Sequence, residues 1–417
     1  MSGRRVVITG TGAITSIGHN VREIWENALS GTSGIGRITR FETDQFPSKI
    51  AGEIKDFDIN KHISPKEARR LDPFCHYAIV AADEAVSESG IDFSSENKAR
   101  VAVVVGSGIG GILTLEKQLK RQLQGGPSKV SPFLVPMMIG DMASGVLAIR
   151  YQVTGPNFGV TSACATGNHA IGEAFWLIKR GDADVTIAGG TEACISPVCA
   201  AGFSSMKALS MRNDSPQSAS RPYDAKRDGF VLAEGAGVLI LESLPHALER
   251  KAKILAELVG YGATADAYHI TSPPPTSSGA TAAIKMAMEH AGIRAEDIDY
   301  INSHGTGTVL NDKCETLAIK NALGAKAYDI PISSTKSLIG HSLGAAGAIE
   351  SILCVKTIIE NTVPGTYNYE YEDSDCDLNY VPNQSLQTSV QTALNMNFGF
   401  GGHNAVTVFK NYENQHS

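Results

Sequence analysis

Hydrophobic residues recur along the chain in two alternating patterns. Short continuous runs rich in Val and Ile end at glycine or polar residues, as buried strands do. Longer stretches repeat apolar residues at three- and four-residue steps, which is the spacing of a helix. The first pair is a strand over residues 5–9 followed by a helix over residues 21–29. The alternation predicts an α/β fold with buried sheets.

The pattern restarts after Leu244, which predicts two similar halves, residues 1–250 and 251–417. In each half a β-branched strand leads through a polar turn into a helix rich in Gly and Ala. The predicted strands cover residues 101–105, 184–190, 237–241, 254–261, 299–302, 330–333, 392–397 and 404–409. The predicted helices after the first cover residues 77–89, 245–251, 279–291 and 343–359.

One polar turn, within residues 159–179, carries Cys164 into such a helix. Small side chains on this helix let neighbouring backbone approach closely, so we expect the helix to be buried. Thr161 and Ser162 precede it and can cap its free N–H groups. A thiol at a helix start feels the positive end of the macrodipole, which favours the nucleophilic thiolate. The alternative is that Cys164 only fills the core, as most free cysteines do.

Composition narrows the class of protein. A chain of 417 residues exceeds the size at which one core usually keeps growing, which agrees with two halves. Hydrophobic residues make up 42% and charged residues 19%, as in ordinary globular proteins. The net charge is −7 and lysine and arginine form no run, so nucleic-acid binding is not expected.

The seven cysteines show no C-x-x-C spacing, and an odd number in a long chain does not suggest a disulfide framework. A reducing compartment, the cytoplasm, is therefore expected. Gly10 and Gly12 interrupt the apolar run near the N-terminus, which disfavours a signal peptide. No stretch approaches the ~20 apolar residues of a membrane span, so membrane insertion is not expected.

Gly106, Gly108 and Gly111 satisfy the pattern G-x-G-x-x-G after a predicted strand. A dinucleotide site needs a helix that leads directly into a second strand with an acidic residue about 20 positions on. Glycine and proline at residues 125–127 intervene here. We therefore interpret these glycines as sites of close backbone packing rather than of cofactor binding.

Two further loops follow predicted strands and place a histidine beside glycine. His304 lies in the sequence Ser-His-Gly-Thr-Gly-Thr, and His341 lies in Gly-His-Ser-Leu-Gly-Ala-Ala-Gly. Lys336 comes shortly before His341 and is flanked by small residues, although lysine is rarely buried. Any of these residues could be purely structural, but imidazoles and a cysteine on strand-end loops are also the groups of nucleophilic catalysis.

Five motifs in register resemble the ketosynthases of the thiolase-like superfamily, in particular the β-ketoacyl-[acyl-carrier-protein] synthase II family of bacterial fatty-acid synthesis. The resemblance covers nearly the whole chain. The motifs surround Cys164 (Ser-Ala-Cys-Ala-Thr-Gly), His304 (His-Gly-Thr-Gly-Thr), Lys336 (Ser-Ser-Thr-Lys-Ser), His341 (Gly-His-Ser-Leu-Gly) and Phe400 (Phe-Gly-Phe-Gly-Gly-His-Asn).

The resemblance implies a thiolase-like αβαβα five-layer fold of two duplicated halves, a homodimer, and acyl carrier protein as partner. It implies that Cys164 takes an acyl chain from the carrier protein and that malonyl-carrier protein then loses carbon dioxide and condenses with this chain. His304 and His341 would stabilise the enolate, and Lys336 would orient and tune His304. The backbone N–H groups of Cys164 and Phe400 would form an oxyanion hole. No cofactor and no metal ion is expected.

Other positions carry weaker expectations from the same resemblance. Thr306 and Thr308 would hold the pantetheine arm, or serve only as turn residues. Side chains expected along the acyl chain are those of Ile109, Ile112, Phe133 and Phe203, each of which is equally at home in a core. His403 replaces the threonine usual in relatives, Gly307 a frequent serine, and Ser162 a frequent threonine.

An acidic carrier protein needs a basic contact surface on an enzyme whose own net charge is −7. Ser64 is expected to cap a helix that presents Lys66, Arg69 and Arg70 on one face. The resemblance adds a second basic contact near the entrance. Its expected members are Lys207 and Arg212.

Single residues distinguish the related classes of enzyme from one another. A biosynthetic thiolase would carry a second cysteine in the loop that contains Phe400. Initiating condensing enzymes and plant-type polyketide synthases would carry asparagine in place of His341, and a non-catalytic chain-length factor would lack Cys164. A polyketide ketosynthase subunit or a β-ketoacyl synthase I stays open as the alternative.

Overall fold

The computed structural model describes residues 4–413, in which strands and helices alternate. The strands are β1 (Val6–Thr15), β2 (Gly36–Arg37), β3 (Ile50–Ala51), β4 (Val101–Gly106), β5 (Asn157–Phe158), β6 (Val185–Glu192), β7 (Gly235–Ser243), β8 (Ala256–Ala265), β9 (Tyr300–Asn302), β10 (Ile332–Ser333), β11 (Thr362–Val363), β12 (Leu386–Gln387), β13 (Thr392–Gly399) and β14 (His403–Lys410). The helices are α1 (Val21–Ser30), α2 (Pro65–Ala68), α3 (Pro73–Ser89), α4 (Ile112–Gly125), α5 (Leu134–Met138), α6 (Met142–Tyr151), α7 (Thr166–Arg180), α8 (Pro197–Ser205), α9 (Leu244–Glu249), α10 (Ser278–Ala291), α11 (Val309–Leu323), α12 (Lys336–Ile339) and α13 (Ala346–Glu360).

Ten strands form one hydrogen-bonded sheet in the order β10-β9-β13-β14-β8-β1-β7-β6-β4-β5. Outward from the centre, β1-β7-β6-β4-β5 has two antiparallel pairings followed by two parallel ones. The other half, β8-β14-β13-β9-β10, repeats this series of pairings. The two halves of the chain therefore have the same strand order, as the predicted duplication requires.

Helices cover both faces of each half-sheet and produce five layers. α7 and α13 lie between the two half-sheets, because α13 contacts both β7 and β13 and α7 contacts both β6 and β14. α3 and α6 form the outer layer of the first half, and α10 and α11 that of the second. Separate clusters of buried apolar residues fill the central layer and the two outer layers. The predicted αβαβα architecture is confirmed.

β1 is longer than predicted, because its glycines are part of the strand rather than its end. A Cβ atom on Gly10 would lie 2.1 Å from the Ala85 carbonyl oxygen, and one on Gly12 would lie 2.0 Å from that of Ala81. Both carbonyls belong to α3, whose backbone packs directly on the strand. The glycines of the G-x-G-x-x-G pattern are packing sites too, since a Cβ on Gly111 would lie 2.1 Å from the Met137 carbonyl oxygen.

Several helices carry no prediction from the hydrophobic pattern. They are α4, α5, α6, α8, α11 and the single-turn α12. α4 and α8 leave apolar side chains exposed, for example Leu119 and Val198, so their pattern does not mark a buried face. α11 buries acidic residues on its inner side, including Asp312 and Glu315, which removes the usual contrast between an apolar and a polar face.

Candidate active site

Cys164 lies in a one-turn 3-10 helix, Ala163–Ala165, that leads directly into α7. The preceding residue, Ala163, has a φ of +50°, a strained conformation for a side chain with a Cβ. The expected capping by Thr161 and Ser162 is wrong. The Thr161 hydroxyl donates to the Ser107 carbonyl oxygen, and the Ser162 hydroxyl bonds His169 Nδ1 at 2.7 Å.

His341 follows α12 and reaches across to the nucleophile. Its Nε2 lies 3.0 Å from Cys164 Sγ, and the side chain is buried. The backbone N–H of His341 donates to the Val231 carbonyl oxygen at 2.7 Å, which anchors the loop. Phe230 packs edge-on against the imidazole at 5.2 Å between ring centroids. These contacts hold His341 against the sulfur atom.

His304 follows β9 and completes the cluster. Its ring stands perpendicular to that of His341 with 5.3 Å between centroids. One donor atom from each of Cys164, His304 and His341 lies within 4.8 Å of the others. Glu315 fixes the loop, because its carboxylate accepts the backbone N–H groups of His304 and Gly305 at 2.6 and 2.7 Å. The structure thus brings together three residues that are 140 and 37 positions apart in sequence.

Lys336 is buried and forms an ion pair with Glu350 of α13. Glu350 also accepts a hydrogen bond from Asn397 Nδ2 at 2.8 Å, and the same amide nitrogen lies 3.3 Å from His304 Nδ1. Lys336 is therefore connected to His304 through two intervening side chains. A buried lysine needs such a partner, because an unpaired buried charge is costly.

The electrostatics of the site correct one prediction. Burial raises the pKa of Cys164 to about 12, against the opposing effects of the Lys336 charge and the backbone N–H groups of Phe400 and Cys164. Burial and the Lys336 charge also lower the pKa values of His304 and His341 well below the ordinary value. This raised pKa favours the neutral thiol in the unliganded protein. Burial therefore opposes the thiolate that the helix start was expected to favour.

Phe400 lies in the tight turn between β13 and β14, against the nucleophile. A Cβ on Gly399 would lie 3.1 Å from the Cys164 nitrogen, so the two backbones are in close contact. The N–H groups of Cys164 and Phe400 both lower the pKa of the thiol, because both point toward the sulfur. Two such donors are arranged to receive a negative oxygen on an atom bonded to that sulfur.

A cavity of about 540 Å³ opens onto Cys164, His304 and His341. Thr306 and Thr308 line it, with their hydroxyl oxygens 3.0 Å apart. Ile109 and Phe203 line it as well. Two further expected members of the acyl pocket do not line this cavity, although Ile112 packs against the same apolar cluster as Cys164 and Phe203. Phe133 and Ile112 are outside this lining, and the ring of Phe133 instead packs beneath the guanidinium of Arg70 at 4.7 Å.

The basic residues expected at the entrance differ in their surroundings. α2 is a single turn, Pro65–Ala68, so Arg69 and Arg70 follow the helix instead of sharing a face with Lys66. All three are exposed. Lys207 is exposed at the cavity, whereas Arg212 lies 3.7 Å from Asp228 and donates to the Lys226 carbonyl oxygen. The charge of Arg212 is thus partly neutralised.

Sequence reasoning missed four buried residues that hold the site together. They are Glu192, Glu315, Glu350 and Asn397. Glu192 accepts the backbone N–H groups of Gly108 and Gly344 at 2.9 and 3.0 Å and so joins the loops on either side of Cys164. A signal for Glu350 does exist, because it is the single charged residue in the segment 346–355.

Among residues 4–413, the candidate metal-ligating cluster of three or more side chains is this same Cys-His-His group. Thiolate and imidazole are ligands that Zn²⁺ accepts, although a closed site usually has four. Within the same part of the chain, no helix is both long and apolar enough to cross a membrane.

Models of known families match both halves of the chain. The β-ketoacyl synthase N-terminal domain matches residues 3–247, and the β-ketoacyl synthase C-terminal domain matches residues 255–370. The chain belongs to the β-ketoacyl synthase family.

Relatives within the β-ketoacyl synthase family span almost the whole chain. A protein of Synechocystis sp. named 3-oxoacyl-[acyl-carrier-protein] synthase 2 is 50% identical over 410 residues, which is 98% of this chain and 99% of that protein. A protein of the same name from Staphylococcus aureus is 49% identical with the same coverage.

Solved structures of β-ketoacyl synthases have the same fold. A β-ketoacyl synthase from Burkholderia phymatum superimposes with a TM-score of 0.92 at 32% identity, covering 98% of this chain and 100% of that one. A ketosynthase of a type II polyketide synthase, solved with its acyl-carrier protein and bound to the hexaketide, gives 0.92 at 34% identity, covering 99% and 100%.

Proposed function

We propose that this protein is an acyltransferase that elongates fatty acyl chains by decarboxylating condensation. It joins a Cys164-bound acyl chain to malonyl-[acyl-carrier-protein] and releases 3-oxoacyl-[acyl-carrier-protein]. The observation that carries the proposal is the buried group of one thiol and two imidazoles, with His341 Nε2 3.0 Å from Cys164 Sγ. The relatives that are 49–50% identical over nearly the full length carry the name of this activity.

In the first half-reaction Cys164 acts as the nucleophile. The sulfur attacks the carbonyl carbon of the acyl thioester, the new C–S bond forms, and the thiol of the carrier's pantetheine arm leaves with the proton that Cys164 gives up. The N–H groups of Cys164 and Phe400 stabilise the oxyanion of the tetrahedral intermediate. Because the resting thiol is neutral, this proton leaves the sulfur as the C–S bond forms.

In the second half-reaction the malonyl group loses carbon dioxide. The electrons of the broken C–C bond form an enolate, whose oxygen needs hydrogen-bond donors. His304 and His341 supply them, while the enolate carbon attacks the acyl carbonyl and displaces the Cys164 sulfur. Burial, and after it the positive charge of Lys336, favours the neutral form of both imidazoles, in which one ring nitrogen donates.

The cavity and its entrance support a carrier-bound substrate. Thr306 and Thr308 place hydroxyl groups along the cavity wall, where they can bond the amides of a pantetheine arm. Ile109 and Phe203 offer apolar surface for the acyl chain. Lys66, Arg69, Arg70 and Lys207 are the exposed cations proposed to contact the acidic carrier protein, and Arg212 contributes less because Asp228 lies beside it.

A homodimer accounts for apolar side chains left in solvent on one side of the first half. α4, α5, α6 and β5 contact one another in series. They expose large apolar residues, among them Leu123 at 79%, Val135 at 60% and Ile149 at 77%. Large exposed apolar side chains on neighbouring elements are typical of protein interfaces. β5 is also the edge strand of the sheet, where unpaired backbone groups can pair with a second copy.

The proposed location is the cytoplasm. All seven cysteines are free, and five other than Cys164 are buried. Seven cysteines without a disulfide bond are typical of proteins in a reducing compartment. A polyketide ketosynthase remains the second candidate, because a neighbour solved with its acyl-carrier protein and a hexaketide has the same fold.

Reconstitution tests the proposal. The protein is mixed with acyl-carrier protein loaded with a saturated acyl chain and with malonyl-carrier protein, and the products are resolved by mass spectrometry. We expect one mole of carbon dioxide for each 3-oxoacyl product that is two carbons longer. Repeated condensation without intervening reduction, giving a polyketone, would favour the polyketide alternative.

A further inference from the structure

A buried amide, Asn397, lies between the ion pair of the site and the imidazole of His304. It belongs to β13, three residues before Phe400, and has no exposed surface. Its Nδ2 lies 2.8 Å from Glu350 Oε2 and 3.3 Å from His304 Nδ1, and its Oδ1 accepts a hydrogen bond from Asn168 Nδ2 at 2.8 Å. Every polar atom of this side chain is therefore engaged.

The hydrogen-bond partners on both sides of the Asn397 amide determine where its nitrogen and its oxygen lie. Glu350, paired with Lys336, is a carboxylate that only accepts, so the nitrogen of Asn397 must face it. Asn168 must present its own nitrogen to Asn397, because its Nδ2 also donates to the Ala405 carbonyl oxygen while its Oδ1 accepts from Asn395 at 3.0 Å. A flipped Asn397 would place like atoms together at both ends.

This orientation decides which nitrogen of His304 carries the proton. Asn397 Nδ2 has two hydrogens, one for Glu350 and one for His304. His304 Nδ1 must then be an acceptor, and the proton of the neutral imidazole lies on Nε2, the nitrogen left to face the cavity. Lys336, His341 and Cys164 are the other titratable groups around this ring, and none of them bonds Nδ1.

The same amide joins the imidazole to the helix of the nucleophile. Asn168 is in the first turn of α7, four residues after Cys164, and its Oδ1 also accepts from Ser351 Oγ at 3.2 Å. The path Glu350–Asn397–Asn168 is buried throughout, so water does not compete for these bonds. A displacement of α7 would therefore change the position of His304, because the hydrogen bonds Asn168–Asn397 and Asn397–His304 connect the two.

We propose that Asn397 is a positioning residue that holds His304 as the Nε2–H tautomer and aligns it with the Cys164 helix. The inference rests on the proposed function, in which Nε2–H donates to the enolate oxygen of the decarboxylation step. Asn397 does not itself touch the substrate. Its effect belongs to the second half-reaction, because acylation of Cys164 uses the backbone N–H groups instead.

The tautomer is tested directly on the wild-type protein. Histidine labelled with ¹⁵N is incorporated, and long-range ¹H–¹⁵N spectra are recorded between pH 6 and 9, with His304 assigned by its loss in His304→Gln. The expected result is a protonated Nε2 and an unprotonated Nδ1. A proton on Nδ1, or on both nitrogens, overturns the proposal. This readout needs no turnover, so it is separate from any failure of the proposed function.

The kinetic test compares two variants on β13 that carry the same substitution of asparagine by leucine. Asn397→Leu removes the donor to His304, and Asn395→Leu is the control, because Asn395 is equally buried and bonds Asn168 and the Gly347 carbonyl oxygen but not His304. For Asn397→Leu we expect decarboxylation of malonyl-carrier protein to fall about 100-fold, as for the loss of one oxyanion donor, while acylation of Cys164 stays within about 3-fold. Equal losses in both half-reactions, or the same pattern in Asn395→Leu, would make Asn397 a packing residue only.

Asn397→Asp covers the case in which Asn397→Leu does not fold. The shape is unchanged, but a carboxylate accepts, so it draws the His304 proton to Nδ1. We expect the Nδ1 signal to become that of a protonated nitrogen and decarboxylation to fall while acylation persists. An unchanged His304 spectrum in this variant contradicts the proposal.

Discussion

Cys164 lies in surroundings that oppose the thiolate charge of the proposed acyl transfer. Burial raises the pKa of the thiol to about 12, and the Lys336 charge and two backbone N–H groups offset this only in part. The neighbouring imidazole of His341 is neutral as well, because its pKa is lowered by burial. The site therefore differs from a thiolate–imidazolium pair, in which the charges are separated before substrate binds.

Alkylation with iodoacetamide tests this neutral resting state. Because only the thiolate reacts, the rate constant at Cys164 should rise ~10-fold for each pH unit between pH 7 and 9, without a plateau. The rate is followed by mass spectrometry of the Cys164 peptide, with Cys164→Ala as the control for the other thiols. A plateau below pH 8 would mean that a stable thiolate already exists and that burial does not dominate.

The three side chains that meet in the candidate site could be singled out from the sequence, whereas the residues that support them could not. Cys164, His304 and His341 lie on glycine-flanked turns, which are distinctive in a chain of 417 residues. Glu315 and Asn397 lie inside a helix and a strand, and only the fold shows that they face His304. The resting charge of Cys164 depends on burial, which a helix-start argument does not include.

At the scale of elements, alternation and apolar runs predicted the sheet well. The strands β4, β6, β7, β13 and β14 each lie within two residues or so of their predicted bounds. The helix predicted over residues 343–359 is the 3-10 turn Leu343–Ala345 followed by α13. β1 and β8 extend beyond their predicted C-terminal ends of residues 9 and 261. Both contain glycines, and glycine in a strand suggests a turn unless the helix that packs on it is known.

Gly12 provides a test of this close packing between β1 and α3. Gly12→Ala should lower the free energy of unfolding by about 1–3 kcal/mol, because the added Cβ would meet the Ala81 carbonyl oxygen. Gly202→Ala in α8 is the matched control, since a Cβ there meets nothing within 4 Å, and it should be neutral or stabilising by about 0.5 kcal/mol. Urea unfolding monitored by circular dichroism measures both. Equal stability of the two variants would contradict the packing described.

At the scale of the whole molecule, the sheet order β1-β7-β6-β4-β5 is repeated in β8-β14-β13-β9-β10, and the residues of the candidate site come from both halves. Cys164 comes from the first half, and His304 and His341 come from the second. The division at residues 1–250 and 251–417 stays a prediction. Chemistry of this kind requires both halves, because neither contains a nucleophile together with its imidazoles.

The whole molecule is acidic, so binding of an acidic carrier protein depends on local basic residues. Charge reversal at Lys66, Arg70 and Lys207 should raise KM for carrier-bound substrates about 10-fold and weaken the dependence of the rate on salt. Acylation by a short pantetheine thioester should stay near the wild-type rate. Lys285→Glu on α10, in the opposite outer layer, is the control for the change of net charge. Equal losses with both substrates would place the docking surface elsewhere.

The free energy of unfolding should depend on pH because of the charged cluster formed by His246, Glu242 and Glu96. Hydrogen bonding to Glu242, and then to Glu96, raises the pKa of His246 to about 9. A histidine with a raised folded-state pKa stabilises fully below its unfolded value of about 6.5, and the contribution is lost as pH rises through about 9. His246→Gln should therefore cost about 2 kcal/mol at pH 6 and nearly nothing at pH 10. A cost independent of pH in urea titrations would exclude a charged His246.

Cys164 is proposed to carry the acyl chain, and peptide mass spectrometry can locate that chain on the protein. The protein is incubated with acyl-carrier protein in the absence of malonyl substrate, digested, and searched for the acyl mass on each of its seven cysteines. Cys314, a half-buried thiol that also lines the cavity, is the natural competitor, so Cys314→Ala is analysed beside Cys164→Ala. We expect one acyl group on Cys164 in the wild-type protein. It should be retained in Cys314→Ala and lost in Cys164→Ala. An acyl group on Cys314, or one that persists in Cys164→Ala, would contradict it.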